Sequence, residues 1–186
     1  FDGSGDFPRN EEAAPLPLNA YGESKLAGEK AVCTAGGRFL IFRTSWVYDA
    51  YGVSFFNTVL RLIREKQNLT IVDDQIGAPT YAPHLAQASH IALTEALDAY
   101  VFASGIYHLC AGGETSRFDF AQAIFALARE RDSGIRCERI DPVLSSQYPT
   151  PAKRPLNSRL DCSKAQNTFG VRLMHWQDGL KACVEE

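Results

Sequence analysis

Apolar positions along the chain change period repeatedly, and each change marks an element. Residues 20–34 read as a helix, with Asn19 suited to the N-cap and Gly36-Gly37 closing it. Residues 39–47 form an apolar run that fits a buried parallel strand. Residues 54–66 carry apolar side chains at 55, 56, 59, 60, 62 and 63, a helical stripe. A short strand at 69–72, a loop at 75–81 punctuated by Gly77 and Pro79, and a helix at 83–97 with Pro83 in its first turn come next. Residues 105–109 read as a strand. Ser116-x-x-Asp119 opens a helix to about residue 131, with Phe120, Ile124, Leu127 and Ala128 inward. A strand at 135–140, an irregular Pro-rich segment at 141–155, a helix at 163–169 stopped by Gly170 and a last helix at 176–184 complete the chain. Residues 1–19 are loop. Strands alternating with helices predict an α/β protein.

Composition narrows the classes. The 186 residues include 45% hydrophobic positions, enough for a packed core. Nineteen basic against 22 acidic residues leave a net charge of −3, which gives no reason to expect nucleic acid or a membrane surface as partner. No apolar run is long enough to span a bilayer. The five cysteines are odd in number and none is spaced C-x-x-C, which fits reduced thiols in a cytoplasmic protein, mostly as small buried fillers. The four histidines have no metal-ligand spacing, so no metal site is expected.

The candidate chemistry lies in Asn19-Ala20-Tyr21-Gly22-Glu23-Ser24-Lys25. On a helix, Tyr21 and Lys25 are four apart and share a face. An ammonium beside a phenol favours the phenolate, and such a phenol can exchange a proton with a carbonyl or alcohol oxygen. The bland alternative is a surface pair that happens to be adjacent.

The flanking residues carry a resemblance. Phe1-Asp2-Gly3, the stretch from Leu18 through Lys25 to Glu29, Arg43-Thr44-Ser45-Trp46-Val47-Tyr48, Asp74-Gln75-Ile76-Gly77-Ala78-Pro79-Thr80, Gly105-Ile106-Tyr107-His108-Leu109 and Arg154-Pro155-Leu156-Asn157-Ser158-Arg159-Leu160 follow in order. The series resembles the dTDP-4-dehydrorhamnose reductases, a family of extended short-chain dehydrogenases/reductases, over nearly the whole chain. YxxxK is shared by that whole superfamily; RTSWVY, DQxGAPT and RPxNSRL together are far more specific.

The resemblance implies the C-terminal part of a Rossmann-like fold with a small substrate-binding lid. Residues 1–52 would be a remnant of the NAD(P)-binding domain carrying YxxxK, and 53–186 mainly a sugar-nucleotide region with some return to the Rossmann sheet. The implied activity is NADPH- or NADH-dependent reduction of the 4-keto group of dTDP-4-dehydro-6-deoxy-L-mannose to dTDP-L-rhamnose. Tyr21 would be the general acid and Lys25 would bind the nicotinamide ribose. Thr44 and Ser45 would meet the carboxamide, and Trp46 would face the deoxysugar. Gln75, Gly77, Pro79 and Thr80 would lie along the nucleotide, and Lys153, Arg154 and Arg159 would face the diphosphate. Alternatives stay open: a core role for Trp46, turn roles for Gly77 and Pro79, a solvated face for the cations, and turn or cap roles for Asp73-Asp74 and Asp119. Another sugar-nucleotide epimerase or dehydratase, or a non-catalytic relative, also fits. The family's Gly-rich phosphate turn has no counterpart here. The expectation is therefore a C-terminal portion with on the order of a hundred residues absent, inactive by itself and with an open sheet edge. NADPH against NADH, and a homodimer against other states, are left open.

Overall fold

The computed structural model describes residues 1–148 and 150–186; Pro149, inside the segment expected to be irregular, lies outside them. The elements are α1 (Ala20–Ala35), β1 (Leu40–Arg43), β2 (Val47–Tyr48), α2 (Phe55–Glu65), β3 (Asn68–Val72), β4 (Ile76–Gly77), β5 (Thr80–Tyr81), α3 (Ala82–Asp98), β6 (Gly105–His108), β7 (Thr115–Ser116), α4 (Arg117–Arg131), β8 (Arg139–Val143), a 3-10 turn (Ser145–Gln147), α5 (Ser163–Phe169) and α6 (Trp176–Glu185). Pairing is parallel for β1–β6, β2–β5 and β3–β8, and antiparallel only for β4–β7. The mixed α/β class expected from the pattern is present.

Three local readings need correction. The apolar run at 39–47 is two strands, because the chain turns at Trp46, whose φ of 46° is the only positive value outside glycine among the described residues. That turn carries the backbone from a pairing with β6 to one with β5. Residues 75–81 are not simply loop, since β4 and β5 lie within them. The strand expected at 135–140 sits at 139–143 and includes Pro142, opposite Ile71. Proline is tolerated there because, among the described residues, β8 pairs only with β3 and is an edge strand, where a missing N–H is accommodated.

Two hydrophobic clusters form the core. In the larger, α2 (Phe56, Val59, Ile63) and α4 (Phe120, Ile124, Ala128) pack with Leu69, Ile140 and α6, and Tyr48 and Tyr81 close it. In the smaller, Ala88, Ala92 and Ala96 repeat every fourth residue of α3, so that helix lies close against Tyr107, Leu109 and Phe169. Leu40 and Phe42 of β1 pack at its rim. Helix α1 contributes no buried residue to either cluster. Among the described residues β1 pairs on one side only, leaving its other edge open.

Candidate active site

Helix α1 starts where its sequence says it should. Asn19 has an extended backbone, and its side-chain oxygen accepts from the Gly22 N–H at 2.9 Å. The same side chain donates from Nδ2 to the Lys153 carbonyl at 2.9 Å, which brings the loop carrying Lys153 and Arg154 to the N-terminus of α1. Farther along, Glu29 takes a bidentate pair from Arg43, at 2.9 Å to Nε and 2.6 Å to the terminal nitrogen, and thereby ties α1 to β1. Tyr21 is exposed, and the Lys25 Nζ lies 6.0 Å from the centre of its ring. The helical spacing therefore places phenol and ammonium side by side, facing outward.

The turn after β1 holds the next three residues. Thr44 is exposed. Ser45 is buried, and its hydroxyl has no hydrogen-bond partner among the described residues. A buried hydroxyl left unpaired is costly, and a polar ligand group would satisfy it. Trp46 is half-buried, and a Cβ on Gly77 would stand 2.7 Å from Cε2 of its ring. Only glycine lets β4 come this near. Gly77 thus does more than shape a turn, and Trp46 is neither a free plate nor a fully buried core residue.

Arg117, which the sequence reading passed over, sits with its guanidinium 3.7 Å from the Trp46 ring centre and 4.8 Å from that of Phe55. None of the ion pairs among the described residues includes it. Burial, with repulsion from Arg154 added, pushes its pKa down to about 9, so it stays charged at neutral pH. A charged, half-buried guanidinium without a carboxylate partner suits an anionic ligand. Its position just after the helix cap Ser116 gave no sign of this; only the folded contact with Trp46 reveals it.

Other residues singled out from the sequence are otherwise engaged. Gln75 is buried and donates to the Ser145 hydroxyl at 3.1 Å, while that hydroxyl and the Ser145 N–H donate to Asp74. Thr80 is fully buried, donating to the Ala78 carbonyl and accepting from the Ala111 N–H. Pro79 is also fully buried. These three support the β4–β5 segment from within and present little or no surface. Arg159 pairs with Glu114 at 2.9 Å and donates to the Asp6 carbonyl, so its charge is spent holding residues 6–9 rather than left facing a ligand. Arg154 and Lys153 remain exposed. Asp119 is exposed in the first turn of α4, its N–H donating to the Ser116 cap at 2.9 Å. Among the described residues no group of three His, Cys, Asp or Glu side chains could hold a metal, and no helix is long and apolar enough to cross a membrane.

Parallel strand pairs joined through crossover helices, and a Tyr-x-x-x-Lys pair at the start of the helix that precedes β1, define the chain as Rossmann-like. It belongs to the family described as the RmlD substrate binding domain, whose pattern it matches over residues 1–186. It is 45% identical over 186 residues to the dTDP-4-dehydrorhamnose reductase of Escherichia coli strain K12, spanning 100% of this chain and 62% of that relative. The crystal structure of dTDP-4-dehydrorhamnose reductase from Bacillus anthracis in complex with NADP superimposes with a TM-score of 0.87 at 31% identity, over 100% of this chain and 62% of that one. UDP-glucose 4-epimerase from Thermotoga maritima shares the fold alone, with a TM-score of 0.74 at 18% identity over 100% of this chain and 58% of that one. The chain thus spans about three fifths of the length of its relatives.

Proposed function

We propose that the protein carrying this chain reduces the 4-keto group of dTDP-4-dehydro-6-deoxy-L-mannose to dTDP-L-rhamnose with NADPH or NADH. The observation that carries this reading is the Tyr21–Lys25 pair, outward-facing on α1, in a chain 45% identical to a dTDP-4-dehydrorhamnose reductase. The Tyr21 hydroxyl donates its proton to the C4 oxygen as that oxygen gains negative charge. Lys25 stabilises the resulting phenolate and binds the ribose beside the nicotinamide. When bound, a reduced nicotinamide supplies the hydride for C4. The unpaired Ser45 hydroxyl, with Thr44 next to it, suits the carboxamide end of that group. Trp46 borders the deoxysugar, and Arg154 and Arg117 receive the diphosphate. Gln75, Pro79 and Thr80 act at one remove, shaping the nucleotide path through β4 and β5. In this reading residues 1–52 serve the cofactor side and 53–186 mainly the sugar-nucleotide side, in a cytoplasmic enzyme.

The test is Tyr21→Phe in the protein at its natural length. The ring stays and the proton donor goes, so kcat falls by about 10²–10⁴-fold. A near-normal kcat removes Tyr21 from the chemistry and, with it, the main support for the reading.

A further inference from the structure

Cys110 and Cys162 are 52 positions apart in the chain, yet their Sγ atoms stand 3.5 Å from each other. Cys110 is buried just beyond β6, and Cys162 is half-buried immediately before α5. Both line a cavity of about 440 Å³ whose wall includes Leu109, Glu114, Arg159 and Leu173. No other two cysteines approach within sulfur contact among the described residues, and Cys33 is exposed on α1. The sequence showed only an odd number of thiols at unremarkable spacing, so this meeting is a product of the fold.

We propose that Cys110 and Cys162 form a modification site: a dithiol that takes a disulfide-class oxidant and closes to an intrachain disulfide. The sulfurs must approach by about 1.5 Å to reach bonding distance, and both line the same cavity, with Cys162 the less buried of the two. The two thiols differ in role. Either sulfur can be the donor in this contact, which lowers the Cys162 pKa and, together with burial, raises that of Cys110. Cys162, half-buried where Cys110 is buried, is the sulfur an oxidant reaches first and the attacking thiolate. It bonds to one sulfur of a small disulfide such as oxidised glutathione and expels the other half as a thiolate. Cys110 passes its proton to that expelled thiolate and attacks Cys162 Sγ, releasing the second half. Two protein thiols are oxidised to one disulfide, and one oxidant disulfide is reduced to two thiols. The new bond joins the end of β6 to the start of α5 across the cavity.

The experiment treats the protein at its natural length, under native conditions, with oxidised glutathione. Free thiols are then alkylated and the peptides mapped by mass spectrometry. A peptide pair joined through Cys110 and Cys162, returned to free thiols by dithiothreitol and missing in Cys162→Ser, is the expected result. Closing a loop of this length raises Tm by about 10 °C over the reduced protein, a rise that Cys162→Ser lacks. Recovery of Cys110 and Cys162 as free thiols at an oxidant level that has modified Cys33 overturns the proposal. So does finding Cys162 only as a mixed disulfide with glutathione, since Cys110 would then have failed to resolve it.

Discussion

Gly77 decides how near β4 comes to the Trp46 ring. A methyl group there would lie 2.7 Å from Cε2 and 2.9 Å from Cζ2, while Arg117 stacks on that ring 3.7 Å from its centre. The ring cannot simply swing aside. Gly77→Ala should therefore cost about 1–3 kcal/mol and raise the KM for the sugar nucleotide more than it lowers kcat. Unchanged Tm and KM together would show that the ring does not depend on this glycine. His108 makes a second prediction. It is fully buried beside Glu11, Arg43 and Asp161, and burial is the main cause of its lowered pKa, with Arg43 adding to it and Glu11 opposing. A histidine whose pKa is depressed on folding leaves the unfolded state holding more protons. Stability is then full above the ordinary value of 6.5 and declines as pH falls from there toward the folded pKa. Urea unfolding at a series of pH values should show that decline, and a histidine ring signal assigned to His108 should remain neutral in the folded protein below pH 6.5. A ring that titrates at its ordinary value contradicts the argument.

At the scale of elements, α1 and α4 are both capped by a side chain but depend on the cap for different things. Ser116 accepts from Asp119 at the start of α4, which buries Phe120, Ala121, Ile124, Phe125 and Ala128. Ser116→Ala should cost about 1 kcal/mol of global stability, read as a lower urea midpoint. Helix α1 buries nothing, so the global transition barely registers it. Asn19→Ala removes both the cap and the contact with Lys153. Amide exchange in residues 20–25 should quicken and kcat should drop, while Tm stays within a degree or so of the parent. Equal exchange in both proteins would mean that packing, not the cap, holds the first turn carrying Tyr21.

For the molecule as a whole, stability is concentrated in the larger cluster, where α2, α4 and α6 meet β3 and β8. Ile124 is fully buried at its centre, and Ile124→Ala should cost about 2–5 kcal/mol by calorimetry or denaturant. The cofactor prediction also belongs here. Tight dinucleotide binding uses backbone N–H groups at a Gly-rich turn, and these 186 residues contain none; under the proposed function, Lys25, Thr44 and Ser45 would reach only a nicotinamide end. Calorimetric titration of NADPH into the 186-residue chain alone should show no micromolar site. If one appears, the proposed division of labour along the sequence is mistaken.

Local rules determined a good deal of this protein from sequence alone. The caps at Asn19 and Ser116, the stripe of α2, the stop at Gly170 and the Tyr21–Lys25 adjacency follow from spacing and side-chain chemistry within a few residues. The motifs RTSWVY, DQxGAPT and RPxNSRL were enough to indicate the family. What sequence could not decide was which partner each segment meets. The apolar run at 39–47 looks continuous, but it breaks at Trp46 because its two halves pair with different strands. Arg159 and Arg154 look alike in sequence, yet Glu114 pairs with one, while the other has no ion pair among the described residues. Arg117 became a candidate site residue only by stacking on Trp46, and Cys110 met Cys162 only because β6 and α5 pack together. Contacts across such separations are set by how whole elements pack, and nothing in the local sequence encodes them.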